Sequence, residues 1–310
     1  MRSREYLVGN NDVVIDVMLP YYGDVDLMKK AVASVCAQHY QHWRLVVIDD
    51  GYPSPEPERY LNELASQDPR VHYLRNSENL GANANYCKAL DLVEAPFFIM
   101  MGADDIMLPN YLDVVAEAFS QHPEVEVIQP GVSTINEHGI AITAMPDRIK
   151  KLCAPRHRSP VMELRGEDLA VSLLRANWTY FPSLAWRSST VKSIGFRTDF
   201  DVVQDLALLL DIATQSQHKN LLVLDELAFL YRRHGGSDSM TKALTGERFD
   251  EERRFFRWQA RRYKDLGWTR ASRAASAHFT SRLNALNLMI QALKQRQFKP
   301  LIRLGQHVLT

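Results

Sequence analysis

Phe97-Phe98-Ile99-Met100-Met101-Gly102-Ala103-Asp104-Asp105-Ile106-Met107-Leu108-Pro109 runs from an unbroken apolar segment into two adjacent carboxylates, and its proline opens the next helix. A short apolar run bounded in this way reads as a strand buried on both faces. Two neighbouring carboxylates at its end are costly unless a cation or hydrogen-bond donors compensate them. Oxygen ligands of this kind suit Mg²⁺ or Mn²⁺ carrying a diphosphate. The same pair also reads as an acidic turn capping the following helix.

Outward from this stretch the chain alternates. Upstream, Val13–Leu19 reads as a strand stopping at Pro20, and Leu27 to Val35 carries helical spacing. Leu45–Ile48 is a second strand, ending in Asp49-Asp50-Gly51, and the three prolines of Tyr52–Pro57 mark a loop. A helix is expected over Pro57–Gln67, a strand at Val71–Leu74 and a helix over Ala82–Val93. Downstream, a helix runs from Pro109 to about His122, followed by a strand at Val125–Ile128. Short apolar strands separated by helices indicate βαβ units and a mostly parallel, Rossmann-like sheet flanked by helices. In such sheets ligands lie beyond the carboxyl ends of the strands. Three of those ends are polar or special: Pro20-Tyr21-Tyr22-Gly23, Asp49-Asp50 and Asp104-Asp105.

The next segment, 131–177, reads as loops with a few short strands. Ser183–Trp186 and Leu221–Leu230 read as strands, and Ser188–Ile194 and Gln204–Ala213 as helices. Beyond Lys242 the pattern is helical, with breaks near Gly267 and Pro300. We therefore expect a first half over about 12–130, a second half over about 131–240, and a helical extension over 241–310.

Composition limits the classes available. The 310 residues are 46% hydrophobic and 24% charged, enough to bury a core. No run approaches the roughly 18 apolar residues of a spanning helix, and MRSREYLVGNNDVV lacks a signal-peptide stretch. Cys36, Cys87 and Cys153 have no metal-ligand spacing, and a cytoplasmic location with reduced thiols is expected. The net charge of zero hides an asymmetry: residues from Lys242 onward carry 15 Lys/Arg against 5 Asp/Glu, the remainder 22 against 32. A basic tail on an acidic body suits phosphates. Arg253–Lys264 interleaves its cations with Phe255, Phe256, Trp258 and Tyr263. That mixture fits an interfacial helix on anionic lipid at the inner face of a membrane, stacking on nucleic acid, or a helix packed on its own domain.

Other residues carry paired readings. Asp49-Asp50-Gly51 is either an Asp-Gly turn or a site for a base N–H or ribose hydroxyl. Asp205 either complements a helix dipole or is a general base at a helix start. His234, in Arg232-Arg233-His234-Gly235-Gly236-Ser237, sits in a loop that suits a phosphate lid. Trp178, Tyr180 and Phe181 are either a platform for a sugar ring or core.

In order, these pieces resemble the family 2 glycosyltransferases of the GT-A fold. The resemblance rests on Leu19-Pro20-Tyr21-Tyr22-Gly23, Val47-Ile48-Asp49-Asp50-Gly51, Asn79-Leu80-Gly81-Ala82-Asn83-Ala84-Asn85, Gly102-Ala103-Asp104-Asp105, Gln204-Asp205 and Tyr231-Arg232-Arg233-His234, and spans about residues 12–240. The chain departs from the family at Tyr52 (Ser), Ala84 (Arg), Gly102 (Asp) and Gln204 (Glu). The resemblance implies inverting transfer of a sugar from a nucleotide-diphosphate sugar, UDP-sugars being commonest, to a glycan or lipid-linked acceptor. It further implies Pro20, Tyr22, Asp50, Asn83, Asn85 and Asp104 along the nucleotide, Asp104, Asp105 and His234 at a divalent Mn²⁺ or Mg²⁺, and Asp205 as base. The basic region from 241 lies outside the resemblance; peripheral contact with an anionic membrane and a homo-oligomer through its helices are expected of it, and nucleic acid is not. A sugar-phosphate nucleotidyltransferase would carry a Gly-rich loop with Arg and Lys after the first strand, which PYYGDVD lacks. A degenerate module that binds without catalysis is the non-enzyme alternative, with Gly102 and Ala84 as its support.

Overall fold

The computed structural model describes residues 13–155, 159–215, 219–233, 247–294 and 301–309. Its first half follows the alternation: β1 (Ile15–Tyr21), α1 (Val25–Cys36), β2 (Trp43–Asp49), α2 (Glu56–Gln67), β3 (Val71–Arg75), α3 (Ala82–Asp91), β4 (Phe97–Met100), β5 (Ile106–Met107) and α4 (Tyr111–Gln121). Next come β6 (Val125–Ile135), β7 (Ala141–Ile142), α5 (Met145–Cys153), β8 (Val161–Leu164), α6 (Gly166–Arg175), β9 (Ala185–Arg187), α7 (Ser188–Ile194), α8 (Gln204–Gln215) and β10 (Lys219–Arg232). Four helices close the described chain: α9 (Glu247–Asp265), α10 (Thr269–Ala277), α11 (Phe279–Lys294) and α12 (Leu301–Leu309).

One sheet carries these strands in the order β3-β2-β1-β4-β9-β6-β10-β5, with β7 on β6 and β8 on β10. β1, β2, β3 and β4 are mutually parallel where they pair, as are β6 and β10. β9 enters antiparallel between β4 and β6, pairing Trp186 with Phe98 and Ala185 with Ile128. The expected parallel sheet is thus interrupted by the reversed β9, and β5, β7 and β8 also pair antiparallel at its periphery. The end of β1 also differs from expectation: the strand runs through Pro20 to Tyr21. Its pairing with β4 ends at Met18, and beyond that point only β2 flanks it, so the missing N–H of Pro20 leaves no ladder bond unmade.

Alternation along β1 explains the two cores. Ile15, Val17 and Leu19 face α1, α2 and α4, whereas Met18 faces α3, α6 and α8. Asp16 shares the second face and is fully buried. Its carboxylate accepts from Arg44 Nε and Nη2 (2.9 and 2.7 Å) and from the backbone N–H groups of Glu94 and Ala95. Losing one partner of such a buried pair costs about 3–5 kcal/mol.

Segment 131–177 is more regular than expected, holding the end of β6, two short strands and two helices. In α6, Leu169, Ala170, Leu173 and Leu174 are buried on the core side, a helical pattern that the neighbouring loops obscured. The aromatic residues of Arg253–Lys264 also point inward. Phe255 and Tyr263 are fully buried, Phe256 is nearly so, and Trp258 packs against the same core as Leu206–Ala213. Trp178 belongs to that core as well, with Phe181 packed against it. The carboxylate of Glu251, in α9, accepts from the backbone N–H groups of Asp201, Val202 and Val203 (3.0, 2.6 and 3.1 Å), the residues leading into α8. Helix α9 therefore caps the turn that starts α8. No described helix is long and apolar enough to cross a membrane.

Gly131 allows the long strands β6 and β10 to meet at a bulge. A Cβ there would lie 2.7 Å from the carbonyl oxygen of Glu226 and 2.8 Å from that of Asp225. Gly131→Ala is expected to destabilise by about 1–3 kcal/mol, read by urea or thermal denaturation. Gly23, where a Cβ meets nothing within 4 Å, is the control and should tolerate Ala.

Candidate active site

The carboxyl ends of β1, β2 and β4 open on one side of the sheet, and each contributes a polar group. At β2, the turn and site readings of Asp49-Asp50-Gly51 divide between the residues. Asp49 makes the turn: its Oδ1 accepts from Tyr52 N (2.7 Å) and its Oδ2 from the Tyr73 hydroxyl (2.7 Å), while Gly51 takes φ +74°. Asp50 faces the start of α3. Its Oδ1 accepts from Asn76 Nδ2 (2.7 Å) and Leu80 N (2.9 Å), and its Oδ2 from Gly81 N (2.9 Å). A carboxylate has about four acceptor positions, so three protein bonds leave one, on Oδ2, for a ligand N–H.

Asn85 is buried beneath this turn, donating to the Ile48 carbonyl (3.1 Å) and accepting from Asn76 (3.1 Å), and Lys88 donates to Asn76 Oδ1 (2.6 Å). Asn85 therefore shapes the cleft floor. Asn83 bridges two halves of the molecule instead: its Nδ2 donates to the Phe200 carbonyl (2.7 Å) and its Oδ1 accepts from Gln204 Nε2 (2.8 Å). At the end of β1, Pro20 is half-buried. Tyr22 is 54% exposed and meets Tyr52 edge-to-face at 5.6 Å, giving an open aromatic wall.

The acidic pair follows β4. Asp105 is 1% exposed; its Oδ1 accepts from the backbone N–H of Arg232 (2.7 Å), and its Oδ2 is buried without a hydrogen-bond partner. Burial, and then the charge of Asp104, push its carboxyl well above the usual range. A Cβ on Gly102 would stand 2.5 Å from Asp105 Oδ2 and 3.1 Å from Asp104 Oδ1, so both oxygens converge on one small space. An orphaned buried carboxylate oxygen beside a second carboxylate fits a hard divalent cation. His234, the third expected ligand, lies outside the described residues, among which no group of three or more His, Cys, Asp or Glu side chains is placed to hold a metal.

Asp205 opens α8 and is half-buried, with Oδ2 accepting from Asn177 Nδ2 (3.0 Å). Lys150 of α5 and Arg248 of α9 act on it electrostatically. Lys150 Nζ donates to the Thr179 carbonyl (2.6 Å) and lies 4.3 Å from the centre of the Tyr180 ring. Asp147 accepts from the Tyr180 hydroxyl (2.9 Å) and from Arg233 Nε (2.7 Å). The sequence reading missed Lys150, Asn177 and Asp147, which lie far from Asp205 along the chain and carry no motif.

Residues 16–152 match the family model described as glycosyl transferase family 2. This segment contains the ends of β1, β2 and β4 with their acidic groups. It is a family 2 glycosyltransferase domain. A putative colanic acid biosynthesis glycosyl transferase of Escherichia coli K12 is 31% identical over 105 residues, covering 34% of this chain and 37% of that protein. The solved structure of S. aureus TarS 1–349 in complex with UDP-GlcNAc superposes with a TM-score of 0.66 at 16% identity, covering 94% of this chain and 80% of that one. The mannosyltransferase PcManGT of Pyrobaculum calidifontis, in complex with GDP-Man and Mn²⁺, gives 0.57 at 14% identity, covering 95% and 86%. The fold is thus GT-A, with C-terminal helices. The chain spans less than half the length of several curated relatives, 23% of one Sinorhizobium fredii protein and 47% of a Methanocaldococcus jannaschii glycosyltransferase. Asp205 lies beyond the matched segment of the family 2 domain.

Burial pushes the Lys150 ammonium down to about 8, with Arg233 and Arg248 repelling it and Asp205 and Asp147 opposing the shift. From about pH 8 up to the ordinary value of 10.5, the folded chain then holds less proton than the unfolded one. Stability from this group rises across that window, and its penalty is complete below it. The melting temperature of Lys150→Met relative to wild type should therefore be more favourable at pH 7 than at pH 10. An equal difference at both pH values would refute the burial of this charge.

Proposed function

We propose that the chain transfers a sugar from a nucleotide-diphosphate donor to an acceptor hydroxyl, with inversion at the anomeric carbon. The observation that carries this reading is the convergence of Asp104 Oδ1 with the unpartnered Asp105 Oδ2 at the carboxyl end of β4, within a family 2 domain. Those two oxygens would hold Mn²⁺ or Mg²⁺, with His234 as an expected further ligand. A cation bound there supplies positive charge opposite the departing diphosphate.

The chain's own residues do the rest. Tyr22 and Tyr52 offer the aromatic wall for the nucleobase, and the remaining acceptor position of Asp50 offers it one hydrogen bond. Asn85, with Asn76 and Lys88, fixes the turn on which the base rests, and Asp104 also lies on the ribose side of the cleft. Asn83 sets the spacing between this nucleotide floor and α8 through Gln204. Asp205 takes the acceptor proton: Oδ2 is held by Asn177, and among the described residues no donor reaches Oδ1. The proton becomes strongly acidic only as the oxygen attacks, so an ordinary carboxylate suffices.

A UDP-sugar is our first choice of donor, since a structural neighbour carries UDP-GlcNAc, although another carries GDP-Man. A cell-surface or lipid-linked glycan as acceptor is supported by the names of relatives in colanic acid and O-antigen biosynthesis. A cytoplasmic location with peripheral contact at the inner face of a membrane belongs to the same reading. Because the tail aromatics are buried, that contact would be electrostatic, through the exposed Arg254, Arg257 and Arg261 at one-face spacing on α9.

Two measurements test these assignments. Calorimetric titration with UDP, dTDP and GDP, each with Mn²⁺ and then EDTA, should show one nucleotide bound in a metal-dependent way. Asp105→Ala should lose that binding, whereas Asp205→Asn should keep it and lose turnover by about 100-fold or more. No binding of any nucleotide would leave a module without catalysis, and near-normal kcat in Asp205→Asn would remove Asp205 as the base. Arg257→Glu/Arg261→Glu should reduce sedimentation with phosphatidylglycerol vesicles at low salt; unchanged sedimentation would exclude the membrane contact.

A further inference from the structure

The side chain that holds Asp205 is itself held, and by a segment that no motif marks. Ala176 and Tyr180 both have extended backbone, with φ of −163° and −116°. Side chains along an extended segment alternate in direction. Trp178 points into the core, 3% exposed, and its Nε1 donates to Ser172 Oγ (3.0 Å). Its neighbours Asn177 and Thr179 share the opposite side, which is the side of Asp205.

An asparagine amide presents a donor at one end and an acceptor at the other, so its use depends on which end faces its partner. Here the carboxylate, which only accepts, takes the Nδ2 end (3.0 Å to Asp205 Oδ2), and the Thr179 hydroxyl donates to the Oδ1 that remains (2.7 Å), holding the amide at both ends. Thr179 is 2% exposed, so water cannot readily replace its hydroxyl. Its carbonyl, in turn, accepts from Lys150 Nζ. Lys150 is thereby bound to the same short segment and lies among Asp205 on α8, Asp147 on its own helix, Arg248 on α9 and Arg233 after β10.

We propose that Asn177 is a positioning residue for Asp205, oriented by the Thr179 hydroxyl and anchored by Lys150, and that this relay keeps Asp205 Oδ1 open toward the acceptor hydroxyl. The inference rests on Asp205 being the base. A carboxylate that rotates freely about its last bond presents either oxygen, or neither, to an incoming proton. One donor fixed on Oδ2 removes that freedom before the acceptor arrives, which is the pre-organisation that proton transfer requires.

The test compares Thr179→Val, which keeps the shape and removes the hydroxyl, with Thr179→Ser, which keeps the hydroxyl. Nucleotide release is followed from UDP-GlcNAc and from GDP-Man, and nucleotide affinity by titration. Thr179→Val and Asn177→Ala should each lower kcat by about tenfold or more while leaving donor KM and nucleotide Kd unchanged, and Thr179→Ser should restore kcat. Wild-type kcat in Thr179→Val, with Asp205→Asn inactive, would overturn the relay and leave the base standing. Near-normal turnover in Asp205→Asn would instead remove the base reading beneath it. A crystal structure of Thr179→Val needs no turnover at all. The Asn177 amide should there be rotated or displaced from Asp205 Oδ2, and an unchanged 3.0 Å contact would overturn the proposal.

Discussion

A single arginine, Arg232, sets the geometry on which the acidic pair depends. Its backbone N–H satisfies Asp105 Oδ1, its Nε donates to the Asp104 carbonyl (2.7 Å), and its Nη1 donates to the carbonyls of Asn136 and Glu137 (2.8 and 3.2 Å). One residue, 5% exposed, thus ties the end of β10 to the chain leaving β6 and to the turn after β4. The guanidinium spends its donors on carbonyl oxygens, and only a backbone amide serves the Asp105 carboxylate. The Asp105 carboxylate is therefore held firmly on one side, with its buried Oδ2 left without a hydrogen-bond partner. That orphaned oxygen sets this turn apart from an ordinary capped one, and the proposed cation site rests on it.

The first half of the fold was legible because a strand buried on both faces and an amphipathic helix leave different repeats. The segments from Leu45 to His122 were placed within a residue or two, since the apolar runs end at residues that break them, Asp49 after β2 and Gly102 after β4 among them. Beyond Val125 the signal weakens for physical reasons. β6 and β10 run 11 and 14 residues, and their later parts line the cleft and carry polar residues such as Ser133, Thr134 and Arg232, so the apolar pattern stops before the strand does. Earlier in the chain, β5 is only two residues long and too short to show any period. The cation-rich aromatic run near Arg253 was ambiguous because a helix half-sunk in its own core and one half-sunk in a bilayer have the same pattern.

The site was legible to a similar degree. The carboxylates at strand ends could be found because a charge directly after an apolar run is conspicuous. What they bind could not: Asp50 gives most of its acceptor positions to Asn76, Leu80 and Gly81, and these lie up to thirty-one residues away. Asn83 came to notice as a nucleotide residue, yet its amide spans the molecule to Phe200 and Gln204. Sequence separation hides such contacts because nothing in a local pattern records which loop will fold over which strand.

The carboxylate of Glu251 on the turn before α8 has a practical consequence for anyone who recombines domains of such enzymes. The helix that carries Asp205 begins on amides capped from α9, and the aromatic residues of α9 fill the core behind it. A graft that replaces everything after β10 with a foreign segment would exchange the cap while retaining the turn that needs it. Crossover points in a hybrid should therefore fall where neither partner of this pair is left behind, keeping 201–205 and 247–265 of common parentage even though the strand β10 separates them in the chain.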